Sequence, residues 1–276
     1  MNMLLLQALI FGIVEGVTEW LPISSTGHMI LISAFFEPCV SDEFMEMFFV
    51  VIQLGATLSL PILFCERMFC TGAGDFSQRS RKFAKTWGKI AAGALPCAVF
   101  GVVFEIAELE SRLYNNIVVA SMLLIYGVVL MFSERILRRH CATVSDVRDI
   151  TYATAFKIGL FQVLSLIPGT SRSGATTVGG MACGVSREAS AEFSFLLAFP
   201  LMLGASAVKV LRLIGNGYSL TYNELIMLVI GVAVSFAVSI FVIRFLLDFV
   251  KRHSFKVFGI YRIVLGLLIL FFNTQI

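Results

Sequence analysis

Long apolar runs alternate with short polar connections along this chain. The runs that suit spanning helices lie at 48–64, 87–104, 113–133, 193–211, 225–247 and 257–272. Some of their uncharged cores are shorter than the roughly 20 residues that cross a bilayer, but flanking lysines and arginines can reach the interface. The pattern predicts six transmembrane helices, and it lacks the short alternating segments of a transmembrane β-barrel.

Two other apolar regions, 3–36 and 154–185, are interrupted by proline, glycine and hydroxyl residues. The interruptions read "LPISSTGH" in the first region and "IPGTSRSG" in the second. Irregular backbone is tolerated at membrane depth only where it is buried in protein or lines a cavity. Each region therefore predicts a re-entrant helix pair with a broken tip.

Composition agrees with an all-α polytopic membrane protein. Hydrophobic residues make up 58% of the 276 residues and charged residues only 14%, against about 25% charged in soluble domains. The net charge of +3 is small, and no block of basic and aromatic residues suggests nucleic acid as a partner.

The placement of charge predicts an orientation. Segment 66–89 holds six lysines and arginines, whereas segment 37–46 holds four acids and no base. By the positive-inside rule the first is cytoplasmic, and we expect the second outside. If both re-entrant pairs return to their own side, both chain ends lie outside. Lys209 and Arg212 run against this trend, because they fall near the outer face.

The two halves of the chain resemble each other. "LPISSTG" (21–27) is similar to "IPGTSRSG" (167–174), and "LGAT" (54–57) is similar to "LGAS" (203–206), at offsets of 146 to 149 residues. The same register places Gln162 opposite Glu15. We interpret the chain as one integral membrane domain built from inverted-topology repeats, about 1–140 and 141–276. Such repeats bring their broken helices together near the bilayer midplane, where the functional site lies.

The first polar tip combines carboxylates with hydroxyls. Glu15 and Glu19 are spaced i, i+4 and share one helix face, and Pro22 ends that helix at about residue 21. An ionisable side chain within a membrane is costly and usually functional. The candidate caps and first-turn residues of the next helix are Ser24, Ser25, Thr26 and His28.

The second polar tip presents a basic residue. Pro168-Gly169 breaks the chain, Thr170 or Ser171 can cap the following helix, and Arg172 and Ser173 stand at its start. Both tips therefore describe a helix N-terminus with free N–H groups, which is a site for anions. The guanidinium fork of Arg172 suits phosphate oxygens.

Together the two tips hold the parts needed for phosphoryl transfer. Arg172 and the helix N-termini can hold phosphate, and the carboxylates can bind a hard divalent cation. Ser25 or His28 could attack phosphorus, with Glu19 or His28 as the base. The alternative is that Glu15, Glu19, His28 and Arg172 form only a structural ion network.

The words "EGVTEWLPISSTGH" and "PGTSRSGATT" resemble the bacterial undecaprenyl-pyrophosphate phosphatase family, the bacitracin-resistance proteins. The likeness extends to "EFSFLLAFPLMLGA" (192–205) and "FGIYR" (258–262), and so covers nearly the whole chain. It implies six spanning helices with two re-entrant regions in an inverted repeat. It also implies hydrolysis of undecaprenyl diphosphate to undecaprenyl phosphate and inorganic phosphate, which recycles the carrier of cell-wall synthesis and confers bacitracin resistance.

The resemblance also implies where the chemistry lies. From it we expect a divalent cation, Mg²⁺ or Ca²⁺, bound by Glu15 and Glu19. We also expect an active site that faces the outer side of the bacterial plasma membrane. The residues expected to be catalytic are Glu19, Ser25, His28 and Arg172. Those expected to bind phosphate are Ser24, Thr26, Ser171, Arg172 and Ser173, with Arg262 as a weaker candidate. The motifs leave open whether Ser25 or His28 attacks, and whether the protein is a homodimer.

Two rival interpretations differ in class. Inverted repeats with midplane carboxylates are also found in secondary transporters, so a transporter or a lipid flippase is the alternative function. A different lipid phosphatase family, with serine–glycine–histidine and serine–arginine words, needs a second histidine and an aspartate after them. The only later histidine here is His253, far from any such word, so that family is set aside.

Overall fold

The computed structural model describes residues 2–36, 40–71, 75–137 and 142–273, so Glu37 of the acidic segment and residues 138–141 lie outside it. In this part of the chain the secondary structure is helical without strands, apart from one isolated bridge between Val144 and Val185. The helices in chain order are α1 (Asn2–Thr18), α2 (Ser25–Ser33), α3 (Asp42–Thr57), α4 (Leu60–Leu63), α5 (Cys65–Phe69), α6 (Phe76–Ile106), α7 (Leu109–Leu113), α8 (Asn116–Leu137), α9 (Tyr152–Val163), α10 (Arg172–Ala182), α11 (Arg187–Gly215), α12 (Tyr222–Arg252) and α13 (Lys256–Asn273). Short 3₁₀ turns stand at Val147–Asp149 and Leu164–Leu166.

Five helical segments of the described chain are long and apolar enough to cross a bilayer. They are Asp42–Leu63, which joins α3 and α4, and helices α6, α8, α11 and α12. The sixth predicted span corresponds to α13, which is 18 residues long and is not among the five. The predicted all-helical, multi-pass class is confirmed at this level.

Two boundaries predicted from hydropathy are wrong, because capping residues start the helices earlier. The Ser41 hydroxyl accepts a hydrogen bond from the Phe44 amide, so α3 begins at Asp42 rather than near 48. Asp75 likewise accepts from the Gln78 amide, so α6 begins at Phe76 rather than near 87. Much of the predicted basic loop 66–89 is therefore helical. Caps satisfy free N–H groups and extend a helix beyond its apolar part.

Both polar words interrupt helices, and they do so with the same backbone conformation. Helix α1 ends at Thr18, a few residues before the predicted end, and α2 starts at Ser25. Ser24 has φ 71° and ψ 103°, and Ser171 has φ 70° and ψ 117°. Residues other than glycine rarely adopt a positive φ. The two serines are 147 residues apart in the sequence, which is the offset of the repeat.

Helix packing repeats between the halves. Helix α1 packs along α12, and α9 packs along α6, while α3 contacts α11 and α8 contacts α13. A Cβ added to Gly12 would lie 2.9 Å from the Gly231 carbonyl, and one added to Gly159 would lie 2.1 Å from the Gly93 carbonyl. These two glycines are also 147 residues apart, so the same close approach occurs in both repeats.

Buried aromatic packing anchors the first break against the second half. Trp20 is fully buried and makes an edge-on contact with Phe195 of α11, with ring centroids 5.3 Å apart. The first polar word is thereby held beside α11, which packs against α10, the helix that begins within the second polar word.

Candidate active site

Glu19 contacts polar residues from both halves of the chain. Its Oε2 accepts hydrogen bonds from the Ser25 hydroxyl at 2.8 Å and from the Gln53 amide at 3.2 Å. Its Oε1 pairs with the Arg172 guanidinium at 3.2 Å. Glu19 is buried and lies just beyond α1, where its amide still donates to the Glu15 carbonyl. One carboxylate therefore connects the first tip, helix α3 and the second tip.

Arg172 is fixed from several directions. Its NH1 donates to the Ser194 carbonyl of α11 at 2.7 Å, and its NH2 reaches Glu19. Its guanidinium carbon lies 5.8 Å from the centroid of the Trp20 ring. The Nε atom is buried and has no hydrogen-bond partner among the described residues. The guanidinium is thus held through NH1 and NH2, and its Nε–H has no partner among the described residues.

A cavity of about 260 Å³ lies at this junction. Its polar lining comprises Glu19, Ser24, Ser25, Thr26, Gln53, Gln162, Ser165, Ser171 and Arg172, and Leu201 and Met202 form part of an apolar wall. A larger cavity of about 960 Å³ shares Ser25, Thr26 and Gln53 with it, so the two adjoin. The larger cavity is lined by apolar and by charged side chains. The apolar ones include Phe11, Met29, Phe36, Met45 and Phe49, and the charged ones are Glu15, Asp42, Glu46, Glu105, Glu108, Lys209 and Arg212.

Glu15 borders the larger cavity rather than the smaller one. It is buried, and its Oε1 has no hydrogen-bond partner among the described residues. An unpaired buried carboxylate oxygen suits a cation. No cluster of three or more acidic, histidine or cysteine ligands occurs in the described ranges. Glu15 and Glu19 therefore fit a cation that takes its remaining oxygen ligands from substrate and water, as Mg²⁺ does.

Ser171 and Ser173 contribute hydrogen bonds that shape the second tip. The Ser171 hydroxyl accepts from the Gly174 amide at 3.3 Å, which confirms the predicted cap of α10. The two hydroxyls lie 3.2 Å apart, and Ser173 donates to the Leu21 carbonyl of the first tip at 3.1 Å. Ser24 occupies the N-cap position of α2 but makes no side-chain cap bond. Only Ser171 and Ser24 of these three border the small cavity.

His28 borders neither of the two cavities. Its Nδ1 lies 2.7 Å from the Ser24 carbonyl, and its Nε2 lies 2.8 Å from the Tyr261 hydroxyl. A carbonyl can only accept, so Nδ1 carries a proton in this bond, and in the neutral ring Nε2 accepts from Tyr261. Both ring nitrogens are engaged, which suits a group that positions α2 better than one that attacks phosphorus.

Arg262, on α13, contacts the backbone of both breaks. It is completely buried, and its fork donates to three backbone carbonyls, those of Pro22, Met122 and Gly169. Pro22 and Gly169 belong to the two breaks. Arg262 borders neither cavity, so its geometry suits joining the breaks rather than contacting phosphate.

Several neighbours of the site were not among the predicted residues. Gln53 and Ser194 hold Glu19 and Arg172, and Tyr261 holds His28. Gln53 directly precedes the repeated word "LGAT", and Tyr261 lies within "FGIYR". Both stood beside recognised words, but their uncharged side chains gave no reason to select them.

The arrangement can hold and activate a hydroxyl next to an anion-binding group. The Ser25 hydroxyl donates to a carboxylate that can take its proton. Arg172 adjoins the same cavity as a fixed positive charge. A nucleophile, a base and a charge clamp within one cavity are the elements of phosphoryl transfer.

Comparison with known proteins gives matches across nearly the whole chain. The family model described as bacitracin resistance protein BacA matches residues 8–268. The undecaprenyl-diphosphatase of Enterococcus faecalis is 51% identical over 271 residues, which cover 96% of each chain. That of Acetivibrio thermocellus is 47% identical over 268 residues and 97% of each chain. That of Streptococcus mutans is 47% identical over 275 residues, 98% of this chain and 96% of the relative.

Proposed function

Because the chain belongs to the bacitracin resistance protein BacA family, we propose that it hydrolyses undecaprenyl diphosphate to undecaprenyl phosphate and inorganic phosphate. It is a multi-pass helical protein of the bacterial membrane. The reaction recycles the lipid carrier for cell-wall synthesis. It also lowers the amount of diphosphate that bacitracin can sequester.

The observation that carries the proposal is the chain of contacts from Ser25 through Glu19 to Arg172. These residues come from opposite halves of the sequence and line one cavity. The adjoining larger cavity offers apolar side chains to a prenyl chain and reaches the small cavity at Ser25 and Thr26. The polar small cavity suits a diphosphate headgroup, and the apolar part of the lining of the larger cavity suits the adjoining part of a prenyl chain.

Ser25 is the nucleophile in this proposal. Its oxygen attacks the terminal phosphorus while its proton passes to the Glu19 carboxylate. The bond between that phosphorus and the bridging oxygen breaks, and undecaprenyl phosphate leaves. Water then attacks the seryl phosphate, releases inorganic phosphate and restores the Ser25 hydroxyl. Arg172 offsets the negative charge of the phosphoryl group throughout.

A divalent cation, Mg²⁺ or Ca²⁺, would be held by Glu15 and Glu19. When bound it supplies positive charge that offsets the diphosphate and polarises its oxygens. The unpaired Oε1 of Glu15 supports this assignment. His28 and Arg262 act as positioning residues, through α2 and through the carbonyls of the two breaks.

The proposal includes the membrane topology. Six spans would be formed by α3 with α4, α6, α8, α11, α12 and α13, and α1–α2 and α9–α10 would be re-entrant. Re-entrance of the second pair is supported by its ends, since the Thr143 amide donates to the Gly184 carbonyl and the Ser186 amide to the Val144 carbonyl. Two inverted repeats in one domain would then place the site towards the outer face, with both chain ends outside.

The test is phosphate release from undecaprenyl diphosphate by the purified protein in detergent. Wild-type protein should release phosphate, and Arg172→Ala should lower turnover by about 100-fold or more, since one charge clamp is lost. Arg79→Ala, on an exposed turn of α6, is the matched control and should retain wild-type turnover. Near-normal turnover by Arg172→Ala would refute the assigned clamp.

The same assay separates the enzyme from a transporter or flippase. Detergent micelles carry no gradient, so phosphate release there needs catalysis and no transport. A protein that moved labelled lipid across vesicles but released no phosphate in detergent would favour the transporter.

A further inference from the structure

Gln162 is a buried polar residue to which the mechanism above gives no role. It lies on α9, is completely buried, and borders the small cavity beside Glu19 and Arg172. Neither its Nε2 nor its Oε1 has a hydrogen-bond partner among the described residues. Since neither amide atom is paired, either orientation of the amide leaves a donor unused. A buried amide normally finds a partner, so this one is suited to a molecule that enters the cavity.

The backbone at this position is well anchored. The Gln162 carbonyl accepts a hydrogen bond from the Ser165 hydroxyl at 2.6 Å, at the start of the second break. The main chain is therefore held by a bond that does not involve the side-chain amide.

The internal repeat gives an independent comparison. Gln162 matches Glu15, and each of the two side chains has a buried oxygen without a partner. A carboxylate suits a cation, whereas a neutral amide can donate N–H bonds to an anion. The two repeats thus place complementary chemistry at equivalent positions.

A second unpaired donor belongs to Arg172, which also lines this cavity. Arg172 uses NH1 and NH2 on Ser194 and Glu19, but its Nε–H is unpaired. We propose that the Gln162 amide and the Arg172 Nε–H together bind the non-bridging oxygens of the substrate's terminal phosphoryl group. This inference rests on the proposed function and adds Gln162 to its substrate-binding residues.

The experiment uses methylenediphosphonate, a diphosphate analogue that cannot be hydrolysed at its bridge. Its inhibition constant and its effect on the melting temperature are measured for wild type, Gln162→Leu and Gln162→Glu. Loss of one hydrogen bond to a charged group should weaken analogue binding and raise KM by about 10- to 100-fold in Gln162→Leu. Gln162→Glu should weaken binding more, because it places a negative charge against phosphate.

Melting temperature in the absence of ligand separates binding from structure. Gln162→Leu should melt at or above the wild-type temperature, since it replaces an unpaired buried polar group with an apolar one. Ser235→Ala is the matched control, because the Ser235 hydroxyl is also buried and unpaired but borders neither cavity. Its analogue affinity should equal that of wild type.

Two outcomes would overturn parts of the argument separately. If wild type releases phosphate and Gln162→Leu binds the analogue within twofold of wild type, the amide serves only ordered water and the inference fails. If wild type releases no phosphate, the proposed function fails, whatever the variants bind.

Discussion

At the residue scale, the main distinction is between Ser25 and His28. Ser25→Ala should lower turnover by about a thousandfold or more, because it removes the attacking oxygen. His28→Ala and Tyr261→Phe should each cause a smaller loss, of about tenfold, since both act by positioning α2. Phosphate release in detergent measures all three variants. Tyr261→Phe removes the hydroxyl that contacts His28 and leaves the imidazole intact, so it tests the positioning role of His28.

The covalent intermediate provides a second readout of the same choice. Quenching of wild-type protein during turnover with a denaturant at neutral pH, followed by peptide mass spectrometry without exposure to strong acid, should find phosphate on Ser25. Phosphate on His28 instead, with a loss in His28→Ala as deep as in Ser25→Ala, would contradict the assignment.

Removal of the metal tests the role of Glu15. A chelator should abolish phosphate release, and added Mg²⁺ or Ca²⁺ should restore it. Glu15→Gln should raise the cation concentration needed for half-maximal rate by about tenfold or more, because one carboxylate ligand is lost. Activity that survives exhaustive chelation would exclude the cation from the mechanism.

The sequence predicted the charged members of the site better than the neutral ones. Glu19 and Arg172 stood out because charge within apolar segments is costly, and the structure brings them into contact. Gln53 was missed, since an amide in a helix has many uses. The orientation of His28 depends on Tyr261, which is 233 residues away, and no local pattern contains that contact.

At the scale of the helices, glycines set the closest approaches. A methyl group at Gly159 would lie 2.1 Å from the Gly93 carbonyl and must push α9 away from α6. Gly159→Ala should therefore destabilise the fold by about 1–3 kcal/mol and impair the site, because α9 leads into the second break. Thermal unfolding in detergent measures the effect.

Gly204 provides the matched control for this prediction. It lies inside α11, and a Cβ there would meet no atom within 4 Å. Gly204→Ala should be neutral or stabilising by about 0.5–1 kcal/mol, because alanine favours helix over glycine. Equal melting temperatures for the two variants would show that the contact between α9 and α6 can relax freely.

The apolar pattern predicted which segments form helices, but it did not predict where those helices begin. Ser41 and Asp75 cap α3 and α6 well before the apolar runs begin, and hydropathy carries no information about caps. Proline and glycine correctly marked the two breaks. The shared positive φ at Ser24 and Ser171 could not be predicted, since serine has no intrinsic preference for that conformation.

At the scale of the whole molecule, the two positive charges that run against the predicted orientation both form ion pairs. Lys209 pairs with Glu46 at 3.0 Å, and Arg212 pairs with Glu105. Glu46 belongs to segment 37–46, which is predicted to lie outside. The positive-inside rule counts lysines and arginines whatever their acidic partners, so these two residues remain exceptions to it, and the pairs offset their charge only locally.

The topology makes the last prediction, and single cysteines in a cysteine-free background test it. Ser80, Ser145 and Asn216 are exposed positions near the start of α6, before α9 and after α11. If α9–α10 is re-entrant, α6 and α8 return the chain to the side of Ser80, and α11 alone then carries it across.

A membrane-impermeant thiol reagent on intact cells should label Asn216→Cys only, and permeabilisation should add labelling of Ser80→Cys and Ser145→Cys. Each variant should release phosphate as wild type does, which verifies its fold. If Asn216→Cys and Ser145→Cys were labelled from the same side, α9–α10 would have to cross the membrane, and the two tips could not enter from opposite faces.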